Sequence, residues 1–348
     1  MRKIISLIIS VILLISLCSC KKNYEKFTAY YFDYFDTHTT IVGYEADQEE
    51  FDAVCEEIKA LLGEYHKLYT IYTRYEGVNN LLSINNSSEP IEVDEKIIEM
   101  LEYAKEMYAL TDGNMNVAMG SVLSIWHSYR DDGLDDPKNA SLPPMKELRN
   151  AAQHTDINDI VIDSELNTVF LADPEMSLDV GAIAKGYAVE KVALWLEEQG
   201  KTGYILNVGG NIRTIGSRPD GTPWSAGIEN PDNSAREETP YIAYLHLSGE
   251  SLVTSGVYQR FYTVNGINYH HIIDPETLMP GERYMSVSVL CKSSALADAL
   301  STALFNMDLD EGIELVEKLD GVEAMWVHND GEISYSSGFE SYCFEYKE

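Results

Sequence analysis

Apolar positions along the chain fall into two rhythms. Phe51, Val54, Cys55, Ile58, Leu61, Leu62, Tyr65 and Leu68 recur at helical spacing and predict an amphipathic helix over 48–68. Ile97, Leu101, Ala104 and Tyr108 repeat the pattern and predict a helix over 94–110. Further helices are predicted over 182–198, stopped by Gly200, and over 294–306 and 309–319. Aromatic and β-branched runs at 30–34 and 39–44 predict a hairpin or two short strands. Strand-like runs resume at 160–162 and 169–172. From 204 onward they dominate, at 204–208, 224–228, 241–247, 252–254, 261–264 and 285–290, with a last pair near 324–327 and 333–336. The polar stretch 79–90 reads as a loop and 131–144 as a surface insertion. Strands and helices mix without strict alternation, which predicts an α+β fold, here as a single domain over 30–348.

The first twenty residues follow neither rhythm. Arg2 and Lys3 precede a run over 4–17 that is apolar apart from Ser6, Ser10 and Ser16. That run is shorter than the roughly 20 residues of a membrane span and has the length of a signal-peptide core. Leu17-Cys18-Ser19-Cys20 has the form of a bacterial lipobox. It predicts a cleaved lipoprotein signal peptide over 1–19, a lipidated Cys20 and a short tether over 20–29. The mature chain would then sit outside the cytoplasm, lipid-anchored to the cell membrane on its outer or periplasmic side.

Composition narrows the partners. Asp and Glu number 57 against 25 Lys and Arg, a net charge of −32. Phosphate backbones need a basic surface, so the chain is not read as a nucleic-acid binder. Anionic lipid would not hold it by charge either, which leaves the acyl chains on Cys20 to tether it. Beyond Cys20 only Cys55, Cys291 and Cys343 remain, without a Cys-x-x-Cys pair, so neither a disulfide framework nor a zinc site is legible.

Several segments can carry chemistry. In 177–187 a predicted strand ending in Asp179 passes through Gly181 into a helix whose first turn holds Lys185. Free N–H groups at a helix start attract anions, and a lysine there adds a full charge; the same residues would also serve as a plain cap and a solvated lysine. In 294–304, Asp298 and Thr302 share the polar side of an otherwise apolar helix. One carboxylate and one hydroxyl suit a hard cation such as Mg²⁺ but do not complete its octahedron. A solvent-facing polar stripe would look the same. His270 and His271 fall on opposite sides of a strand, a poor pair for one metal. His271, close to Asp274, can position a phosphate or a proton, or be a hydrogen-bonded core residue. Asn207-Val208-Gly209-Gly210-Asn211 is a strand and a glycine turn that lets a ligand approach the backbone.

Taken in order, Gly181-Ala182-Ile183-Ala184-Lys185-Gly186-Tyr187, Asn207–Asn211, Thr254-Ser255-Gly256 with Tyr258, His271-Ile272-Ile273-Asp274-Pro275 and Ala297-Asp298-Ala299 with Thr302 resemble the ApbE-type family of FAD:protein FMN transferases. Weaker parts also match, at Asp36-Thr37, 79–85 and 113–126. The resemblance implies a magnesium-dependent enzyme that moves FMN from FAD to a Thr or Ser hydroxyl of a second protein, releasing AMP. It implies Mg²⁺ on the Ala182 carbonyl and the side chains of Asp298 and Thr302. It implies FAD on Phe35, Tyr75, Asn114, Met115, Asn116, Asp179, Lys185 and Ile273. Tyr75 and Met115 would pack on a flat ring, Asp179 would accept hydrogen bonds, and Lys185 would pair with the pyrophosphate. Lys185, His271 and Asp298 are the expected catalytic residues, with His271 or a nearby carboxylate as base. The acceptor would be a membrane redox-pump subunit or an exported flavoprotein. Phe35 stands where the family usually has Met, and Asn116 where it often has an acid. Val257 replaces a polar residue, and Leu278 interrupts an Asp-Pro-x-Thr-Gly turn. Two rival readings use the same pocket: hydrolysis of FAD to FMN and AMP, and flavin binding without catalysis.

Overall fold

The computed structural model describes residues 24–345, so the predicted signal peptide and Cys20 lie outside the described residues. Strands β1 (Glu25–Tyr34) and β2 (Thr37–Glu45) lead into helices α1 (Gln48–Tyr69) and α2 (Leu81–Asn85). Then follow β3 (Ile91–Glu92), α3 (Glu95–Leu110), α4 (Gly120–Asp135), α5 (Met145–Ala151), β4 (Ile160–Asp163), β5 (Thr168–Leu171) and α6 (Ala184–Glu198). Hairpins β6 (Tyr204–Val208) with β7 (Asn211–Ile215) and β8 (Trp224–Glu229) with β9 (Tyr241–Leu247) come next. The rest is β10 (Ser251–Gly256), β11 (Phe261–Val264), β12 (Ile267–His270), β13 (Tyr284–Cys291), α7 (Ser294–Asn306), α8 (Leu309–Glu317), β14 (Glu323–His328) and β15 (Ile333–Tyr335). This is the α+β architecture that the mixed pattern predicts.

One eight-stranded sheet organises the molecule, in the order β1-β2-β6-β7-β10-β13-β14-β15, with every neighbouring pair antiparallel. Because side chains alternate along a strand, each strand feeds two cores. Leu206 and Val208, Val287 and Val289, and Ala324 and Trp326 face the layer that contains α1, α3, α6 and α7. Leu252, Leu290, Met325 and Val327 face the other way and are covered by Trp224, Ile228, Leu245 and Leu247 of the β8–β9 hairpin. A third core joins Val122 and Trp126 of α4, Leu148 of α5 and Tyr262 and Val264 of β11.

Four local readings are corrected. The 79–90 stretch, expected as a loop, holds helix α2. β1 begins at Glu25 and Phe27 stacks on Phe51 at 5.5 Å, so half of the stretch expected as tether over 20–29 is strand. The 131–144 segment is not wholly an insertion: α4 runs to Asp135, and Gly133 is buried where a side chain would strike Tyr262. Ser177–Asp179 is extended but makes only an isolated bridge, Ser177 with Met119, rather than a strand.

The β2–β6 register sets Gly43 opposite Tyr204, and a Cβ at Gly43 would lie 2.3 Å from that ring. The ring is fully buried over Phe51, and its hydroxyl donates to Glu45 Oε1 at 2.7 Å. Burial works to raise the Glu45 pKa, but the bonds from Lys201 and Tyr204 outweigh it and hold the carboxyl below its ordinary value. Gly43→Ala therefore displaces a core aromatic and is expected to cost about 1–3 kcal/mol. Urea unfolding checks this; an unchanged midpoint would mean that the ring has room to move.

Candidate active site

A cleft of about 1020 Å³ opens between the sheet and the α4 region. Its walls come from the β1–β2 turn, the loop after α1, residues 114–116, α4, the start of α6, the stretch after β10, residues 271–275 and one face of α7. Local sequence fixes each piece. The Asn85 amide donates to Leu178 O at 3.0 Å and its Oδ1 accepts from Leu178 N at 2.7 Å. Asp179 N donates to Val117 O at 2.9 Å, and Asp179 Oδ1 accepts from Gly181 N at 2.9 Å, closing the turn that starts α6.

Helices α6 and α7 touch at Gly186. A Cβ there would stand 2.3 Å from Asp298 Cβ and 2.5 Å from Ser294 O. Gly186 lies in the first turn of α6, which starts at Ala184, so its N–H has no intrahelical partner; it donates to Asp298 Oδ2 at 2.7 Å. Among the described residues the Ala182 carbonyl accepts no backbone hydrogen bond. It lines the cleft with Asp298 and Thr302, whose hydroxyl is 3.5 Å from Ser255 Oγ. The polar stripe of α7 is thus turned into the cleft and against α6, with Asp298 only 6% exposed, and not toward bulk solvent.

Lys185 Nζ donates to Asn211 Oδ1 and, at 3.5 Å, to Gly209 O, which joins the glycine turn of the β6–β7 hairpin to the same site. Burial lowers the Lys185 pKa, Asp298 opposes this and Arg260 adds to it. Burial raises the Asp298 pKa, against the pull of Lys185 and the Gly186 N–H. Both groups are charged at a cost that a bound ligand of matching charge would offset.

Of the residues expected to contact a ligand, Phe35, Asn114, Met115, Asn116, Asp179, Ala182, Lys185, His271, Ile273, Asp298 and Thr302 all line the cleft. Tyr75 does not: Gly77, at φ +75, turns the chain so that Tyr75 bridges Val78 and its ring meets Lys67 at 5.8 Å. Tyr72 takes a place in the cleft instead. Asn116 is already engaged, with Nδ2 donating to Thr155 O at 3.0 Å and Oδ1 accepting from Ala118 N at 2.8 Å. Asp274 is engaged too: Oδ1 caps Glu276 and Thr277, and Oδ2 pairs with Arg283 at 2.9 Å. It builds the turn and is not a partner of His271. His271 Nδ1 meets Arg260 O at 3.3 Å, while His270 is buried with Nε2 on Gly281 O at 2.8 Å.

Sequence reasoning missed Arg130 and His127 as cleft residues, and gave no role to Ser255, within the Thr254-Ser255-Gly256 motif, or to the nearby Arg260. His127 lies 4.0 Å from Asp179 Oδ2 and meets the Tyr72 hydroxyl at 3.3 Å. The four-residue step from Val122 to Trp126 and on to Arg130 was the available signal, because it places His127 and Arg130 on one helix.

Comparison with known proteins settles the kinship. The model of the ApbE family matches residues 35–326. The chain belongs to the ApbE family. Its similarity to the FAD:protein FMN transferase of Haemophilus influenzae is 30% identity over 330 residues, 91% of either chain. Among solved structures, the ApbE protein of Thermotoga maritima superposes with a TM-score of 0.79 at 27% identity, covering 93% of this chain and all of that one. The flavin transferase ApbE of Vibrio cholerae gives 0.75 at 28% identity, covering 92% of this chain and all of that one.

In this ApbE chain the Gly186 contact couples stability to the site. Gly186→Ala is expected to destabilise by about 1–3 kcal/mol and to lower activity with it, as read by chemical denaturation beside turnover; full activity at native stability would show that α6 and α7 can separate freely.

The histidines of the same ApbE domain make stability depend on acid. His271 is exposed in the cleft, where solvent screens it, but His66, His127 and His270 are each held below the ordinary value of 6.5, first by burial. Each is neutral when folded at pH values where the unfolded chain already binds a proton. Their contribution is intact above 6.5 and is lost as pH falls below it. The thermal midpoint should drop between about pH 7 and about pH 5, and less steeply in a His127→Gln/His270→Gln variant. An equally steep fall in that variant would assign the effect to other groups.

Proposed function

We propose that this chain is a FAD:protein FMN transferase, using Mg²⁺ to move FMN from FAD onto a Thr or Ser hydroxyl of an acceptor protein. The reading is supported by the names of its relatives and by one structural observation above the rest. A free backbone carbonyl, a buried carboxylate and a hydroxyl line one cleft beside Lys185.

Those residues fit the ion. No group of three or more His, Cys, Asp or Glu side chains gathers among the described residues, so any ion here draws on mixed oxygen donors. Carbonyl, carboxylate and hydroxyl oxygens suit a hard cation, with diphosphate oxygens and water as the remaining ligands. Mg²⁺ on Ala182, Asp298 and Thr302 would offset charge on the diphosphate and on the departing AMP.

The chain's own residues do the rest. Lys185 pairs with the diphosphate, and Arg260 supplies further positive charge along the cleft. The Arg260 carbonyl accepts from the Nδ1 side of His271, which fixes the tautomer that leaves Nε2 as a base. An imidazole is mostly neutral at pH 7, and the charge of Arg260 favours that form. The acceptor hydroxyl oxygen attacks the FMN-side phosphorus and gives its proton to His271 Nε2. A new P–O bond forms, the bridging P–O bond breaks, and AMP leaves with the bridging oxygen. FMN stays on the acceptor as a phosphoester. Phe35 and Ile273 lie where apolar contact can cover a flat ring. The lipobox at Cys20 supports a lipid-anchored position outside the cytoplasm, where a membrane redox-pump subunit or an exported flavoprotein would be the acceptor.

Two readouts test this. Purified chain, FAD, Mg²⁺ and an acceptor should give a fluorescent acceptor band that survives denaturing electrophoresis; free FMN and AMP without that band would mean hydrolysis. Added Mg²⁺ should raise the thermal midpoint of the wild-type chain and leave that of Asp298→Ala where it is. An equal shift in both proteins would place the ion elsewhere.

A further inference from the structure

A second groove, of about 700 Å³, lies on the opposite face of the sheet under the β8–β9 hairpin. Thr40, Val42, Ile205 and Ile212 form its floor, and Ala226 and Ile228 line its roof. Thr37, Gly209, Thr254, Tyr258 and Gln259 line both this groove and the cleft, so the two spaces share one partition.

The sheet splits at that partition. β7 pairs with β10 only at Arg213↔Ser251 and Ile212↔Leu252, because Gly209 (φ +55) and Gly210 (φ +91) turn the β6–β7 hairpin back. β10 continues along β13 as far as Gly256. Thr214 N donates to Glu250 O at 3.0 Å, so alternate positions from 250 turn their N–H and C=O toward the β7 side. Beyond Leu252 no strand lies there, and among the described residues Thr254 and Gly256 have no backbone partner on that side. At the outer end, Tyr30 and Phe32 are 62% and 73% exposed. Phe32 meets His38 at 4.6 Å and Tyr30 is in register with Thr40, so these aromatics extend the groove. In a chain of net charge −32, the only Asp, Glu, Lys or Arg among the described residues that line the groove is Glu229.

We infer that this groove holds the acceptor protein, an extended uncharged segment of which adds beside β10 at Thr254 and carries its hydroxyl through the partition. The inference rests on the transferase reading. With FAD filling the cleft, a macromolecular hydroxyl needs a separate approach to the FMN-side phosphorus. A free strand edge supplies main-chain hydrogen bonds to such a segment, and the alternating positions of the groove receive its side chains. The near-neutral lining suits an uncharged segment, because covering it leaves no row of buried charges without partners.

The test uses the soluble chain with FAD, Mg²⁺ and the isolated soluble domain of a membrane redox-pump subunit as acceptor. Thr40→Trp fills the groove, and Tyr30→Ala/Phe32→Ala strips its exposed end without touching the core. Each should raise the KM for the acceptor by about tenfold or more, with FAD affinity and thermal midpoint unchanged. The second variant keeps the test sound should the first fold poorly. Transfer by the wild-type chain with an unaltered acceptor KM in the exposed-end variant overturns the groove alone. FAD binding by the wild-type chain with no flavin transferred overturns the transferase reading, and the groove with it.

Discussion

Everything in the site hangs on the close approach of α6 and α7. A side chain at position 186 would meet both a Cβ and a backbone oxygen, so only glycine lets the two helices come together. Once they do, the first-turn Gly186 amide, which has no partner within its own helix, donates to Asp298 and fixes the carboxylate. The Ala182 carbonyl lies before the helix and accepts no backbone hydrogen bond among the described residues. Burial disfavours the Asp298 anion and the Lys185 cation alike. The fold thus carries an electrostatic cost at this point, in keeping with the general trade between stability and function.

The charges around that contact come from separate elements. Lys185 belongs to α6, Arg130 to α4 and Arg260 to the stretch after β10, yet all line one cleft in a chain of net charge −32. Asp36, Asp131, Asp179 and Asp298 line the same cleft, and Arg130 pairs with Asp131 at 2.9 Å, so an anion would be met by individual cations and not by a field of one sign. Asp179 also lines this cleft, but its Oδ1 is engaged with Gly181 and its Oδ2 faces His127.

Helices with a clear apolar stripe were legible in the chain, as α1 and α3 illustrate, and so were most strands after residue 204, though β7 and β12 were absent from the predicted runs. α4 was not read, although Val122 and Trp126 stand four apart: Gly120 and Gly133 break its apolar stripe, and they are small because Ser177 and Tyr262 press on them, a reason no local pattern shows. β1 hid its start because Glu25 and Lys26 interrupt the apolar pattern on an edge strand whose outer side faces solvent. The metal-type residues were found through family likeness, and the cleft does bring them together. The free Ala182 carbonyl had no sequence signal, since it depends on α6 starting at Ala184 and not at Ala182, where the pattern placed the helix start. Tyr72 and Tyr75 were indistinguishable by composition, and the turn at Gly77 separates them. The break between β7 and β10 likewise appears only once register is known.

The central claim is that oxygens of Ala182, Asp298 and Thr302 jointly hold a divalent ion against the diphosphate of FAD. Anomalous diffraction from crystals grown with FAD and Mn²⁺ reads this directly. One peak about 2.0–2.3 Å from those three oxygens and from a diphosphate oxygen is expected; FAD bound with the peak on other residues, or with no peak beside its diphosphate, would contradict the account.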